Sequence, residues 1–341
     1  MSRQLTLDQV VGWISSHQPL LLVTHITPDG DGLGSQAGLY HSLAEAGMDI
    51  DILNHHKIPP KFELLNQDQI FQSIEEGQSL KKDYKGVIIC DTNDWDRIGK
   101  VQPLLEKKGF KRNGANVLYV DHHVVQDKTL QGYTREEACA TGELVFEIIE
   151  QINLKRTKPL PLNQKAALGV YVAILTDTGS FQFHRTNKRV HDIAGACLTA
   201  GVIPYEVYHE VYGSNPYEKL LFEAEVFSQA KLTNCKRVIY VKIPEKLRRK
   251  YGMSIEDTQG LVGRLRMVGG VEICMLAREE DDGIKVSLRS KGNAQVISIA
   301  QKFGGGGHRH AAGCMLPGPI DTALQTVLDA VLEYLKESKA S

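Results

Sequence analysis

"NVLYVDHHVV", residues 116–125, decides how the front of this chain is built. Val117 to Val120 are apolar at every position and not at alternate ones, the pattern of a strand covered on both faces and hence of a parallel sheet in an α/β protein. The run ends in a carboxylate and two imidazoles, Asp121, His122 and His123. Alone the triplet says little, because most histidines are satisfied surface or core residues. Its meaning depends on what the other strands end in.

Similar runs lie on either side. "LLLVTH" (20–25), "DIDIL" (49–53) and "GVIICD" (86–91) read as further strands, and a helix is predicted over residues 35–46, stopped by Gly47. Short apolar strands separated by helices define a parallel-sheet α/β domain. From about Thr141 to Phe227 the spacing turns helical, in "GELVFEIIEQI", "NQKAALGVYVAIL" and "RVHDIAGACLTAG". Strand signals return in "RVIYVKI", "VEICMLA" and "GIKVSLRS", then a helix near 294–303, a glycine run and a final amphipathic helix over 322–337. The expected organisation is a parallel-sheet α/β domain over residues 1–190, a helical linker over 191–228 and a smaller α/β domain over 229–341.

The bulk numbers fit this division. A chain of 341 residues exceeds what one core usually covers, and 42% hydrophobic with 24% charged residues is an ordinary globular composition. No apolar run approaches the ~20 residues needed to span a bilayer, and the start "MSRQLTLDQVVGWI" lacks a signal peptide's order, so a cytoplasmic protein is expected. Six scattered cysteines without a CxxC pair speak against both a disulfide scaffold and a thiolate zinc site. The near-zero net charge hides an asymmetry: residues 226–341 carry 18 Lys and Arg against 12 Asp and Glu, whereas residues 1–225 carry 22 against 29.

In open α/β sheets, ligands bind at the carboxyl ends of the strands. There the first strand delivers "THITPDGDGLGS" with His25, Asp29 and Asp31, the next apolar strand delivers Asp91, and "NVLYV" delivers Asp121, His122 and His123. "YVAILTDTGSF" adds Asp177 at the end of an apolar helical run. Gathering so much negative charge without cations is costly, since desolvation and like-charge repulsion both disfavour it. Carboxylates and imidazoles without thiolates suit Mn²⁺, Mg²⁺ or Fe²⁺, and the ligands are too many for one ion. Two ions bridged by a shared carboxylate are the common device for displacement at phosphorus.

In this order, "HITPDGDGLGS", "CDTND", "DHH" and "LTDTGSFQF" resemble the four motifs of the DHH phosphoesterase superfamily, and "FGGGGHRHAAG" (303–313) resembles the signature of its DHH-associated C-terminal domain. The resemblance runs from about residue 20 to 316, and the compact length is similar to that of bacterial oligoribonucleases (nanoRNases) that also act as phosphatases on 3′-phosphoadenosine 5′-phosphate (pAp). It implies that residues 1–190 are the catalytic domain and 229–341 the substrate-binding domain, with the active site in the cleft between them, and that two divalent cations, Mn²⁺ foremost, are held by His25, Asp29 and Asp91 on one side and by Asp31, Asp91, His122 and Asp177 on the other. It further implies that Asp121 orients an imidazole and that His123 faces the scissile phosphate, stabilising charge or protonating the leaving oxygen. "VVQDKT" after the triplet, and the basic Arg309 and His310, depart from the family pattern without touching a metal ligand.

"GGGGH" lacks the Lys-Ser/Thr of a Walker loop and the spacing of a dinucleotide fingerprint. Four glycines instead allow backbone N–H groups to approach an anion closely. Gly305, Gly306, Gly307 and His308, with Arg289 and Ser290 from "SLRSKG", are the expected clamp for a terminal phosphate, and Arg264 is a further candidate. The leading expectation is a phosphodiesterase that degrades very short 5′-phosphorylated RNA or DNA, such as pApA, to mononucleotides. The alternatives are a RecJ-like single-strand exonuclease, a cyclic-dinucleotide phosphodiesterase and a non-catalytic nucleotide-binding regulator. No membrane partner is expected, and the resemblance implies a homodimer.

Overall fold

The computed structural model describes residues 3–74, 79–125, 127–156, 161–213 and 215–337. Two compact units divide the chain, Met1–Ser214 and Asn215–Ser341. No helix among the described residues is long and apolar enough to cross a membrane.

The first unit runs β1 (Arg3–Gln4), α1 (Leu7–Ser16), β2 (Leu20–Val23), α2 (Gly30–Glu45), β3 (Ile50–Asn54), β4 (Phe71–Ser73), β5 (Gly86–Cys90), α3 (Val101–Lys107), β6 (Val117–Asp121), β7 (Gln131–Thr134), α4 (Thr141–Leu154), α5 (Gln164–Asp177), α6 (Lys188–Thr199) and α7 (Pro204–Tyr208). Its seven strands among the described residues form one sheet in the order β1-β7-β6-β5-β2-β3-β4. Every pairing is parallel. The continuously apolar strands are explained by burial on both sides. Leu20, Leu22, Ile88, Leu118 and Val120 pack with α1, α2, α4 and α5 on one face, while Leu21, Val23, Val87, Ile89 and Tyr119 pack with Trp95, Val101 and Leu105 on the other. The additional strands β1, β4 and β7 have only two to four residues, too short for a periodic signal.

One expected boundary moves. The helix predicted from residue 35 begins at Gly30, because the Asp29 carboxylate caps it by accepting the N–H groups of Asp31 and Gly32. The "PDGDG" turn is therefore the first turn of α2. This helix lies against α5 at the distance only glycine permits, since a Cβ on Gly34 would collide with the Gly169 carbonyl. The pair is antiparallel: Gly30 faces Thr176, and Gly38 faces Gly169 and Ala166. The start of α2 and the end of α5 thus meet, bringing Asp31 and Asp177 together.

The second unit contains α8 (Tyr217–Ser228), β8 (Lys231–Leu232), β9 (Val238–Ile243), α9 (Glu245–Lys250), α10 (Leu261–Arg264), β10 (Ile273–Glu280), β11 (Gly283–Ser290), α11 (Ile297–Gln301), β12 (Gly306–His308), β13 (Ala311–Leu316) and α12 (Ile320–Glu337). Its sheet is mixed, in the order β12-β13-β11-β10-β9-β8. Among the described residues only β9 and β10 of this sheet pair in parallel. Val286, Leu288 and Val327 belong to the core on one face, and Phe222, Leu247, Leu261 and Leu276 to the core on the other.

Candidate dinuclear metal centre

The ligands come from the carboxyl edge of the first sheet and from two helix termini. His25 follows β2 and is buried; its Nε2 lies 3.3 Å from Asp91 Oδ2 and 3.9 Å from Asp29 Oδ1. Its Nδ1 is buried without a hydrogen-bond partner among the described residues. Asp91, one residue beyond β5, is buried in the left-handed region at φ 62°. That conformation is uncommon away from glycine, though Asp and Asn tolerate it best. It directs the carboxylate inward. While Oδ2 faces His25, Oδ1 lies 3.7 Å from His122 Nε2 and 3.6 Å from His123 Nδ1.

His122 Nε2 also lies 3.6 Å from Asp31 Oδ2 and 3.4 Å from Asp177 Oδ2. Its Nδ1 is 3.3 Å from the Ala138 carbonyl, so an Nδ1–H donated there leaves Nε2 with its lone pair toward the carboxylates, the tautomer a metal ligand needs. Asp31 is held from the other side by α4: it accepts the N–H groups of Thr141 at 2.7 Å and Gly142 at 2.9 Å. The Thr141 hydroxyl donates to Asp91 Oδ1 at 3.2 Å. Asp121 stands behind, fully buried. One of its oxygens accepts from His123 Nδ1 at 2.7 Å and the other from Asn93 Nδ2 at 2.7 Å.

Three overlapping ligand groups result among the described residues, each with donor atoms within 4.8 Å of one another: His25, Asp29 and Asp91; Asp31, His122 and Asp177; and Asp91, His122 and His123 between them. Asp91 joins the first two through His122. Electrostatics fit cations in both. Burial, then the neighbouring carboxylates, push Asp91 and Asp177 well above the usual carboxylate range, and burial raises Asp31 as well. Burial holds His25 down at about 4 and lowers His122, so both imidazoles are neutral donors at neutral pH. For His123, burial is outweighed by the hydrogen bond and charge of Asp121, which raise it. Neutral imidazoles and crowded carboxylates facing one space are the donor set of divalent ions that favour oxygen and nitrogen.

All eight sequence-predicted residues of the first unit are brought together here. The sequence reading missed Thr141, Gly142, Asn93 and Arg185. Arg185 Nη1 donates at 3.4 Å to the same Ala138 carbonyl that His122 Nδ1 faces, and its charge opposes the rise in Asp177. "ATGEL" reads only as a generic helix start, and nothing local ties it to Asp31.

In the second unit the expected clamp is placed in part on one face. Cross-strand register puts His308 opposite Ala311 and Ala311 opposite Arg289, so His308 and Arg289 share a face with only a methyl group between their strands. Arg289 is half-buried, and burial, with the nearby Arg266, lowers its pKa. Gly305 and Gly307 are required by packing, since a Cβ on either would strike the backbone of β13, whereas Gly306 faces open space. Ser290 does not join them: alternation along β11 turns it to the opposite face, where its buried hydroxyl meets the Ala294 carbonyl at 2.7 Å and His310 Nδ1 at 2.9 Å. Arg264 is engaged elsewhere, paired with Glu223 and lying 4.7 Å over the Phe227 ring.

A parallel sheet edged with Asp and His, followed by a mixed sheet carrying a glycine hairpin, is the build of one class of protein, and the chain belongs to it: the DHH family. The DHH family N-terminal domain matches residues 19–174 and the DHHA1 domain matches residues 236–337. The family is metal-dependent. Among particular proteins, the chain is 30% identical over 325 residues to the bifunctional oligoribonuclease and PAP phosphatase NrnA of Thermus thermophilus, covering 93% of this chain and 90% of that protein. It is 27% identical over 311 residues to the protein of the same name from Bacillus subtilis, covering 90% and 92%. The fold is shared with an exopolyphosphatase-related protein from Bacteroides fragilis, at a TM-score of 0.84, 23% identity and 96% coverage of each chain.

Proposed function

We propose that this protein is a metal-dependent hydrolase that cleaves very short 5′-phosphorylated oligonucleotides to mononucleotides and removes phosphate from pAp. The observation that carries the reading is Asp91, whose two oxygens face two different ligand groups. Relatives along nearly the full chain, named as oligoribonuclease and PAP phosphatase, support the substrate class.

His25, Asp29 and Asp91 would hold one divalent cation, and Asp31, Asp91, His122 and Asp177 the other, with Mn²⁺ the ion we assign. When bound, such a pair activates water and neutralises charge on a phosphoryl group. The chain's own residues orient the reaction. The α4 N-terminus and Thr141 fix Asp31 and Asp91 before substrate arrives. Asp121 fixes His123 through Nδ1, which leaves Nε2 as the nitrogen that meets a leaving oxygen.

Catalysis is assigned to residues 1–190 and substrate binding to residues 229–341, joined by the helical stretch 191–228. In the second unit Arg289 and His308, over the alanine and glycine floor, would hold a terminal phosphate. A near-neutral total charge fits a short substrate better than a long polymer, which calls for a broad basic stripe. The test is parallel incubation with Mn²⁺ and pApA, a five-nucleotide RNA, a long single-stranded DNA, pAp or pyrophosphate. Rapid mononucleotide release from the short RNAs and phosphate release from pAp are expected. Preference for the long strand, or binding without turnover, would overturn the reading.

A further inference from the structure

Beside the metal centre lies a group of aromatic side chains that none of the roles above uses. After α7 the chain makes one π-helical turn, His209–Gly213, a rare form that is frequent at functional sites. Val207 and Val211 anchor this segment in the core of the first unit. Their chain neighbours Tyr208 and Tyr212 face outward, 52% and 36% exposed, with ring centroids 5.1 Å apart. Large aromatic rings that are exposed yet held on a buried anchor are unlike ordinary surface tyrosines, because their position is set before anything binds.

A second observation ties the pair to the centre. The Tyr212 phenol hydrogen-bonds the Ser180 side chain, three residues beyond Asp177. Burial pushes this phenol up to about 12, with Tyr208 and then the charges of Asp177 and Asp29 adding to the rise. The segment between is unusual: Gly179, Ser180 and Phe181 all take positive φ, at 57°, 59° and 64°. Three successive left-handed residues, one of them a phenylalanine, form an unfavourable backbone that persists where surrounding contacts enforce it, often next to a site. Its effect here is to turn the chain sharply after Asp177 and present the Ser180 hydroxyl to Tyr212.

We infer that Tyr212 and Tyr208 form a platform on which the base of the nucleotide at the metal centre stacks. This rests on the reading of the centre as a nucleotide phosphoesterase site and deepens it. A ribose separates a base from its phosphate, and Tyr212 stands one side-chain contact beyond the Asp177 turn, so a phosphate at the ligand cluster would carry its base toward these rings. Stacking on aromatic faces tolerates any base, as an enzyme that clears mixed short RNAs requires. The platform would act on binding and not on the chemical step, because the base is bound alike before and during cleavage.

The test uses the full-length, Mn²⁺-loaded protein and three substrates: pApA and two analogues, each lacking the base of one residue. Tyr212→Ala and, separately, Tyr208→Ala are expected to raise KM for pApA by roughly 5- to 100-fold, the range of a lost base–aromatic stack, with kcat much less affected. On the analogue that lacks the stacked base the same variants should raise KM less than 2-fold by that logic. Tyr212→Phe, which keeps the ring and loses only the Ser180 bond, should raise KM less than Tyr212→Ala does. Equal losses on intact and abasic substrates, unchanged KM in both alanine variants, or a change of oligomeric state in place of a selective KM change would overturn the inference. If Tyr212→Ala does not fold, the more exposed Tyr208→Ala decides. Failure of the wild-type protein to cleave pApA would instead sink the phosphoesterase reading itself.

Discussion

Replacing Asp91 by Asn should make the metal-free protein more stable and the metal-loaded protein less so. Asparagine is the substitution that isolates charge, because it tolerates the left-handed backbone at φ 62° and still accepts the Thr141 hydroxyl. Oxygens of Asp91 and Asp29 lie within 4.8 Å, where two unit charges repel by about 3–4 kcal/mol at an effective dielectric constant near 20. The Asp29 side chain is 55% exposed, so screening reduces its share, while Asp31 and Asp177 add repulsion of their own. A gain of about 1–3 kcal/mol follows, or roughly 2–12 °C in Tm for a unit of this size. With Mn²⁺ at a hundred times Kd, the wild-type protein should gain about 2.7 kcal/mol per site, and the variant much less. Calorimetry in chelator and in Mn²⁺ should therefore show the order of stabilities inverting. A variant less stable in chelator and equally stabilised by Mn²⁺ would refute the idea that Asp91 is a strained bridge awaiting cations.

In chelator, the gain from Asp91→Asn should shrink as pH falls. Because the folded-state pKa of Asp91 is raised, the wild-type protein recovers stability as pH drops through that value toward the ordinary 3.8, while asparagine does not titrate; urea titrations at several pH values measure the difference. Asp121→Asn should lower kcat by roughly 10²-fold or more with little change in Mn²⁺ affinity, since Asp121 orients His123 and is not placed on an ion. Steady-state rates beside metal titrations check both halves. Arg289→Ala should raise KM for pApA with a smaller loss in kcat, if its contact is equally good in ground and transition states.

How much of this was legible in the sequence differs by level. The central strands could be read because burial on two faces makes them apolar throughout, and His25, Asp91, Asp121, His122 and His123 because they stand at or just beyond strand ends. The short edge strands carry no such pattern. The start of α2 was misplaced because Asp29 both caps the helix and faces His25, and a "PDGDG" stretch shows only the turn. Thr141 and Gly142 were invisible, since their role depends on a helix end meeting Asp31 from 110 residues away. Ser290 was assigned to the clamp from its neighbour Arg289. Alternation along a strand sends the two to opposite faces, which only a known register reveals. The Tyr208–Tyr212 pair was missed because its meaning comes from the turn after Asp177 and not from aromatic spacing.

Binding of Mn²⁺ to the purified, chelator-treated protein, followed by equilibrium dialysis and low-temperature electron paramagnetic resonance, tests the bridged centre most directly. Two ions per chain with a spin-coupled spectrum are expected, and Asp91→Asn should abolish the coupling. One ion per chain, or two that give the isolated six-line spectrum of uncoupled Mn²⁺, would contradict a shared carboxylate between them.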